Sequence, residues 1–254
     1  ALLTSVLESS TKVAEYIAEC RELGIKLLPP DVNESDANFT VAGENIRFGL
    51  VAIKGIGWGA IEELVAERHE TGLFTSFEDF CKRMSGKELN RRAVENLIRA
   101  GAFDGMGYKR KALLQIAGAV IDSISQAARD NIAGQYDLFG DFEAQSEASP
   151  QTIPIPDVEE FSARDKMMME KEVTGLYLTG HPMDEFRDAV RKVGAVPIGA
   201  ILGDFAADDG PQRFADNQYV TVAGIISTMR TRTTRNNSLM SYVQLEDDTG
   251  TIEM

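Results

Sequence analysis

The apolar positions change their spacing several times along the chain, and each change predicts a change of element. Val13, Ile17 and Cys20 recur at i, i+4 and i+7 behind Ser10 and Thr11, which predicts an amphipathic helix closed by a left-handed residue at Gly24. "IKLLPPDVN" predicts a short strand halted by Pro29 and Pro30, and "FTVAGENIRFGLVAI" a hairpin turning at Gly43 to Asn45. Beyond Ile53 the period becomes helical. Helices are expected over Ala60–Arg68, over Thr75–Met84 behind a Thr75-x-x-Glu78 capping box, and over Arg91–Ala100 between an Asn90 cap and Gly101. Their apolar residues fall on single stripes, Phe77, Phe80, Cys81 and Met84 in one and Val94, Leu97 and Ile98 in the next. A longer helix is expected from Lys109 to Ile132. From Asp141 to Pro156 the periodicity fades into Glu, Gln, Ser, Ala and Pro, the composition of a mobile acidic linker. A helix over Phe161–Val173 follows, then another from Pro182 to Lys192. From Tyr219 the alternation has period two again and predicts three strands in meander order, ending at Met254.

Composition narrows the class. At 254 residues and 43% hydrophobic content the chain can fill one to three packed cores. Cys20 and Cys81 lack the spacing of a metal knuckle, and His69 and His181 are too few and too scattered to add one, so a reduced, cytoplasmic protein without a structural metal is expected. No apolar run approaches the roughly 20 residues of a membrane helix. No targeting leader opens the chain, and its start at Ala1 and end at Met254 read as the edges of a fragment. The net charge of −14 argues on average against binding nucleic acid. The average hides a local excess. Between Lys82 and Lys111 the bases Lys82, Arg83, Lys87, Arg91, Arg92, Arg99, Lys109, Arg110 and Lys111 face only Glu88, Glu95 and Asp104. Such an island predicts a localised anion site, with a solvated helix face as the plainer alternative.

Two segments repeat one plan. "AIKGIGWGAIEEL" runs from apolar residues through Gly55-Ile56-Gly57 into a helix start, as in the hairpin of a helix-hairpin-helix. There the glycines permit a tight turn, and the free N–H groups of the helix start point at an anion. Such a hairpin grips a DNA phosphate without reading bases, here with Lys54, Gly55, Gly57, Trp58 and Gly59 as candidate contacts. "LIRAGAFDGMGYKRKALL" repeats the plan about 45 residues later, with Arg91, Arg92, Gly105, Gly107, Lys109, Arg110 and Lys111 as the matching candidates. A third stretch, "GQYDLFGDF", carries Leu138 and Phe139 between Gly134 and Gly140, where no element can form. An apolar pair placed so either folds back on its own domain or enters the pocket of a partner.

Five segments, "ECRELGIKLLPPDVNES", "GLVAIKGIG", "LNRRAVENLIRAGAFD", "GQYDLFG" and "TGLYLTGHPMDEF", stand in an order that closely resembles the carboxy-terminal half of the C-family replicative polymerases, the alpha subunits of bacterial DNA polymerase III. The resemblance implies an α+β, multi-domain chain. Residues 1–47 would be the end of a fingers region, and 48–173 a mainly helical helix-hairpin-helix domain for duplex DNA and the sliding clamp. Residues 174–218 would form a connecting segment, and 219–254 an incomplete OB-fold barrel. It implies that Gln135, Asp137, Leu138 and Phe139 are the peptide that docks on the clamp ring, so that the apolar pair is withheld for a partner. Arg230, Arg232 and Arg235, read as lying in the loop between strands, are candidate single-strand contacts. Other replisome subunits are further partners, and no membrane is involved.

The parent polymerase would use Mg²⁺ and deoxynucleotides, but the family's metal-binding carboxylates lie upstream of Ala1, so this chain is expected to hold no cofactor and no catalytic residue. Its acidic pairs, Glu62-Glu63, Asp208-Asp209 and Asp247-Asp248, read as solvated charge. Two rivals remain. A helix-hairpin-helix repair enzyme would need a catalytic acid or lysine, for which Asp104 is the one suggestive residue. A scaffold would turn its hairpins toward protein instead of DNA.

Overall fold

The computed structural model describes residues 2–5, 16–17, 19–20, 23–135, 153–207, 209–234 and 236–254, with backbone alone over 130–135. The chain divides into two units, 1–179 and 180–254. The expected first helix lies largely outside the described residues. Its end does not: Gly24 has φ +77°, and Ile25 N–H reaches back to the Cys20 carbonyl at 2.8 Å, the left-handed closure expected there.

The first unit opens with α1 (Leu2–Ser5) and a small sheet of β1 (Leu27–Leu28), β2 (Thr40–Ala42) and β3 (Asn45–Arg47), in the order β1-β3-β2. The predicted hairpin is the antiparallel β2–β3 pair, turning through Gly43. β1 pairs with β3 in parallel, Leu27 opposite Ile46, a long-range pairing that alternation cannot foresee. Helices follow: α2 (Trp58–Thr71), α3 (Phe77–Arg83), α4 (Arg91–Ala100), α5 (Arg110–Gln135) and α6 (Ala163–Thr174). α4 has its predicted bounds, with Asn90 Oδ1 accepting from Ala93 N–H at 2.9 Å and Gly101 left-handed. α3 begins later than expected. Its cap is Ser76, accepting from Asp79 N–H at 3.0 Å, while Thr75 donates to the Asp79 carboxylate.

The apolar stripes of these helices meet around an aromatic cluster. Phe103, between α4 and α5, stands edge-on to Phe77 and Phe80 at 5.2 and 5.0 Å, and Phe80 does the same to Phe74 at 5.0 Å. All four rings are buried, each stabilising the fold by roughly 1.5–3 kcal/mol through lost apolar exposure. Arg68 of α2 is also buried, its guanidinium donating to the carbonyls of Val32 and Ser35 and to Asp36 at 2.8–3.0 Å. That fastens α2 to the loop after β1.

The second unit begins with a 3₁₀ turn, Pro182–Phe186, closed by a reciprocal cap: His181 Nδ1 accepts from Met183 N–H, and Asp184 accepts from His181 N–H. It leads into α7 (Arg187–Val193), so the expected helix at Pro182 is half 3₁₀ and half α. α8 (Ile198–Phe205) had no counterpart in the sequence reading. β4 (Ile225–Thr233), β5 (Leu239–Glu246) and β6 (Thr251–Glu253) form the predicted antiparallel meander, an open three-stranded sheet. β4 starts six residues later than the alternation beginning at Tyr219 implied. The chain is thus α+β, a helical region followed by a small open sheet.

Candidate nucleic-acid interface

The first hairpin is built from both sides. Lys54 N–H donates to the carbonyl of Val173 at the end of α6, at 2.7 Å, and its own carbonyl accepts from the amide of Asn96, buried in α4, at 2.7 Å. Between these clamps the chain must reverse, and Gly55 does so at φ +77° with the Asn96 amide 3.0 Å from where a Cβ would stand. Any other residue there would be strained and crowded. Gly57 then caps α2 without a side chain. Among the described residues no acceptor reaches the N–H groups of Trp58 and Gly59. The helix start is therefore an open set of donors at the positive end of a 14-residue dipole. Trp58 is about half exposed and Lys54 is exposed, with Lys54 Nζ donating to the Glu172 carbonyl at 3.2 Å. One negative group stands close by: a side chain at Gly59 would run into the carboxylate of Glu88.

The second hairpin repeats the backbone plan and differs in its chemistry. After α4 come Gly101, a 3₁₀ turn over Asp104–Met106, and Gly107 at φ +80°, before α5 begins. Here the donors are taken. The carboxylate of Glu160 accepts from Arg110 N–H at 2.8 Å, from Lys111 N–H at 3.1 Å and from Phe161 N–H at 2.8 Å. Its partial burial alone would raise its pKa, but these three amides outweigh burial and hold the carboxyl below its ordinary range. Lys109 Nζ lies 2.8 Å from Asp157, and Lys111 Nζ sits 5.7 Å above the Phe161 ring.

Two expected roles are corrected by placement, those of Arg110 and Asp104. Arg110 is not presented to solvent: it is 1% exposed, donating to Asp104 at 2.7–3.1 Å, to Glu170 at 2.9 Å and to the Arg99 carbonyl at 3.1 Å. Burial works against its charge, and Asp104 and Glu170 restore it, so the guanidinium stays protonated as an internal tie. Asp104, the one residue that suggested a repair acid, is thereby a structural partner. Gly105 is exposed, and a side chain there would meet the carboxylate of Asp31. Arg91 pairs with Glu95 at 2.9 Å and lies across Gly118 of α5, while Arg92 is exposed.

Much of the basic island is paired with acids that lie outside its stretch of sequence. Glu78 pairs with Lys82, Glu67 with Arg83 and Lys87, Asp157 with Lys109, and Glu170 with Arg110. Lys87 first, then Thr71 and Arg83, hydrogen-bond Glu67 and hold its carboxyl down to about 2. Cys81 is a core residue whose thiol is pushed up to about 12 by burial.

Arg230 and Arg232 stand on strand β4 itself, not in the loop, because the strand runs on to Thr233. They share one face, paired across to Tyr242 and Met240 of β5. Arg235, and Asp137, Leu138 and Phe139 of the expected clamp peptide, lie outside the described residues, while Gln135 is the last residue of α5. Of the acidic pairs, Glu63 accepts from Glu88 N–H at 3.0 Å, and Asp247 takes the N–H groups of Ile198, Thr249 and Gly250. Asp208 lies outside the described residues. Among the described residues no group of three or more His, Cys, Asp or Glu is arranged to hold a metal ion.

Three residues that organise the interface were not legible beforehand: Asn96, Glu160 and Glu170. Asn96 carried a faint signal, a polar residue inside the apolar stripe of α4. Glu160 and Glu170 carried none, since their partners lie 50 and 60 residues earlier.

Comparison with known proteins agrees with this geometry. The helix-hairpin-helix motif family matches residues 24–113, which contain both hairpins. The DNA polymerase III subunit alpha of Mycobacterium tuberculosis is 37% identical over 255 residues, covering 100% of this chain and 21% of that protein. The subunits of Pseudomonas aeruginosa and Deinococcus radiodurans are 36% and 34% identical, again over 100% of this chain and over 22% and 19% of their own lengths. The chain thus spans about a fifth of the length of the curated relatives it matches. With 34–37% identity to these subunits over 100% of its length, the chain belongs to the family of the DNA polymerase III alpha subunits.

Proposed function

We propose that this chain is the part of a replicative polymerase alpha subunit that holds duplex DNA by its backbone and tethers the polymerase to a sliding clamp. The observation that carries the reading is the open start of α2 behind Gly55 and Gly57, in a chain whose relatives are DNA polymerase subunits. A phosphate at that start receives the free N–H groups of Trp58 and Gly59, with the Lys54 ammonium and the Trp58 ring beside it. The contact is blind to sequence, as a processive enzyme requires. Clamp binding belongs to Gln135, Asp137, Leu138 and Phe139. Burial of Leu138 and Phe139 is worth roughly 1.5–3 kcal/mol each before ordering costs, which gives a single site of about micromolar strength. Tethering to DNA already threaded through the ring makes such a site sufficient. Arg230 and Arg232 with Tyr242, on one face of an incomplete OB barrel, offer cations and an aromatic ring to single-stranded DNA. Synthesis itself, with Mg²⁺ and deoxynucleotides in the cytoplasm, is assigned to carboxylates of the parent polymerase outside this chain.

Duplex affinity measured against salt tests the DNA reading: log K should fall steeply as log salt rises, whereas a scaffold would bind no duplex even at low salt. Leu138→Ala with Phe139→Ala should abolish binding to the clamp ring, and unchanged affinity would remove the clamp from the proposal.

A further inference from the structure

The start of α5 is not an empty donor set awaiting an anion; an anion is already seated on it. Glu160 spans the N–H groups of Arg110 and Lys111 with its two oxygens, and Asp157, three residues earlier, pairs with the neighbouring Lys109. Phe161 brings its ring beneath Lys111. One stretch of chain, 157–161, therefore engages two amides and two ammonium groups together, the donors that the sequence assigns to a DNA phosphate at this hairpin. The equivalent amides of the first hairpin have no such partner among the described residues.

We infer that residues 157–161 are an autoinhibitory strap: Glu160 and Asp157 occupy the phosphate position of the second hairpin, so the module holds duplex through the first hairpin until the strap lifts. The inference rests on the duplex-binding reading above. Its chemistry is direct competition, because a carboxylate and a phosphate oxygen accept from the same amides and cannot both be seated. The strap is tethered on its far side as well. α6 follows it within two residues, capped by Ser162 on Asp165 N–H, and α6 carries the Glu170 that holds Arg110. Release and recapture of Glu160 would thus be a local movement of a short segment anchored by α6.

The test compares duplex affinity and its salt dependence in the wild-type chain, Glu160→Ala and Asp157→Asn, with circular dichroism melts to confirm folding. Glu160→Ala frees two amides and deletes a negative charge, so affinity should rise roughly threefold to tenfold and the salt slope should steepen by about one phosphate. Asp157→Asn changes a side chain that is 96% exposed, so the fold should be unaffected. It frees Lys109 and should give a smaller gain in the same direction, of roughly twofold. If Glu160→Ala fails to fold, Asp157→Asn decides. Wild-type binding that neither folded variant improves overturns the strap and leaves the duplex reading standing; no binding by wild type or variants overturns both.

Discussion

The two hairpins share a backbone plan and differ in who owns the helix start. In the first, the amides of Trp58 and Gly59 have no acceptor among the described residues, although the Glu88 carboxylate stands close to Gly59, and Asn96 acts on the turn and not on the donors. In the second, Glu160 closes the donors and Arg110 is drawn inward as a tie between Asp104 and Glu170. A glycine turn feeding a helix therefore does not determine whether an anion site is available. That is decided by whichever acceptor the rest of the chain delivers to it.

The largest effect should come from breaking the internal tie. Glu170 is fully buried and accepts from Arg110, from Leu178 and Thr179 N–H, and from the Thr179 hydroxyl. Glu170→Ala should cost about 3–5 kcal/mol of stability in a urea titration, because it takes the buried acceptor from the Arg110 guanidinium and from the Leu178 and Thr179 donors at once. A loss under 1 kcal/mol would mean the second hairpin is not held this way. Next, the first hairpin can be converted into a copy of the second. Gly57 has an ordinary φ of −72° and open space where a Cβ would stand, so Gly57→Asp fits without strain and supplies the missing cap carboxylate. Its melting temperature should stay level or rise, while duplex affinity drops about tenfold, since the new carboxylate takes the amides and repels phosphate. An unaltered affinity would show that the first hairpin does not hold DNA.

Smaller effects sharpen the contrast. Asn96→Ala removes the clamp on the Lys54 carbonyl and should cost about 1 kcal/mol of stability, with a matching loss in duplex affinity as the turn loosens. Acid should weaken the helices behind both hairpins. Glu67 on α2 titrates near 2 when folded against 4.5 ordinarily, and Glu160 is shifted in the same direction. A depressed folded pKa gives stability that is complete above the unfolded value and disappears as pH falls through the folded one. The thermal midpoint should therefore decline between about pH 4.5 and pH 2, and Glu67→Gln should flatten that decline.

Much of the fold was readable because local physics sets it. Asn90 and Gly101 bound α4 by capping chemistry that needs only neighbours, and Gly43 turns its hairpin for the same reason. α8 escaped because "PIGAILGDF" is short and apolar with two glycines; Ile198 is held from outside, by Asp247 on its N–H and burial of its side chain. The basic island misled for a related cause. Counting charge along a window omits Glu67, Asp157 and Glu170, which the fold brings to the lysines and arginines of that window.

What the sequence by itself determined was the existence of two glycine turns leading into helices, the apolar faces that pack those helices, and kinship with a polymerase subunit. Each depends on interactions within a few residues or on residue identity alone. Only the tertiary structure decided that one turn is open and the other filled, and that Arg110 is an internal tie. Those outcomes depend on carboxylates 50 to 60 residues distant, and only the packed fold brings such groups within hydrogen-bonding range.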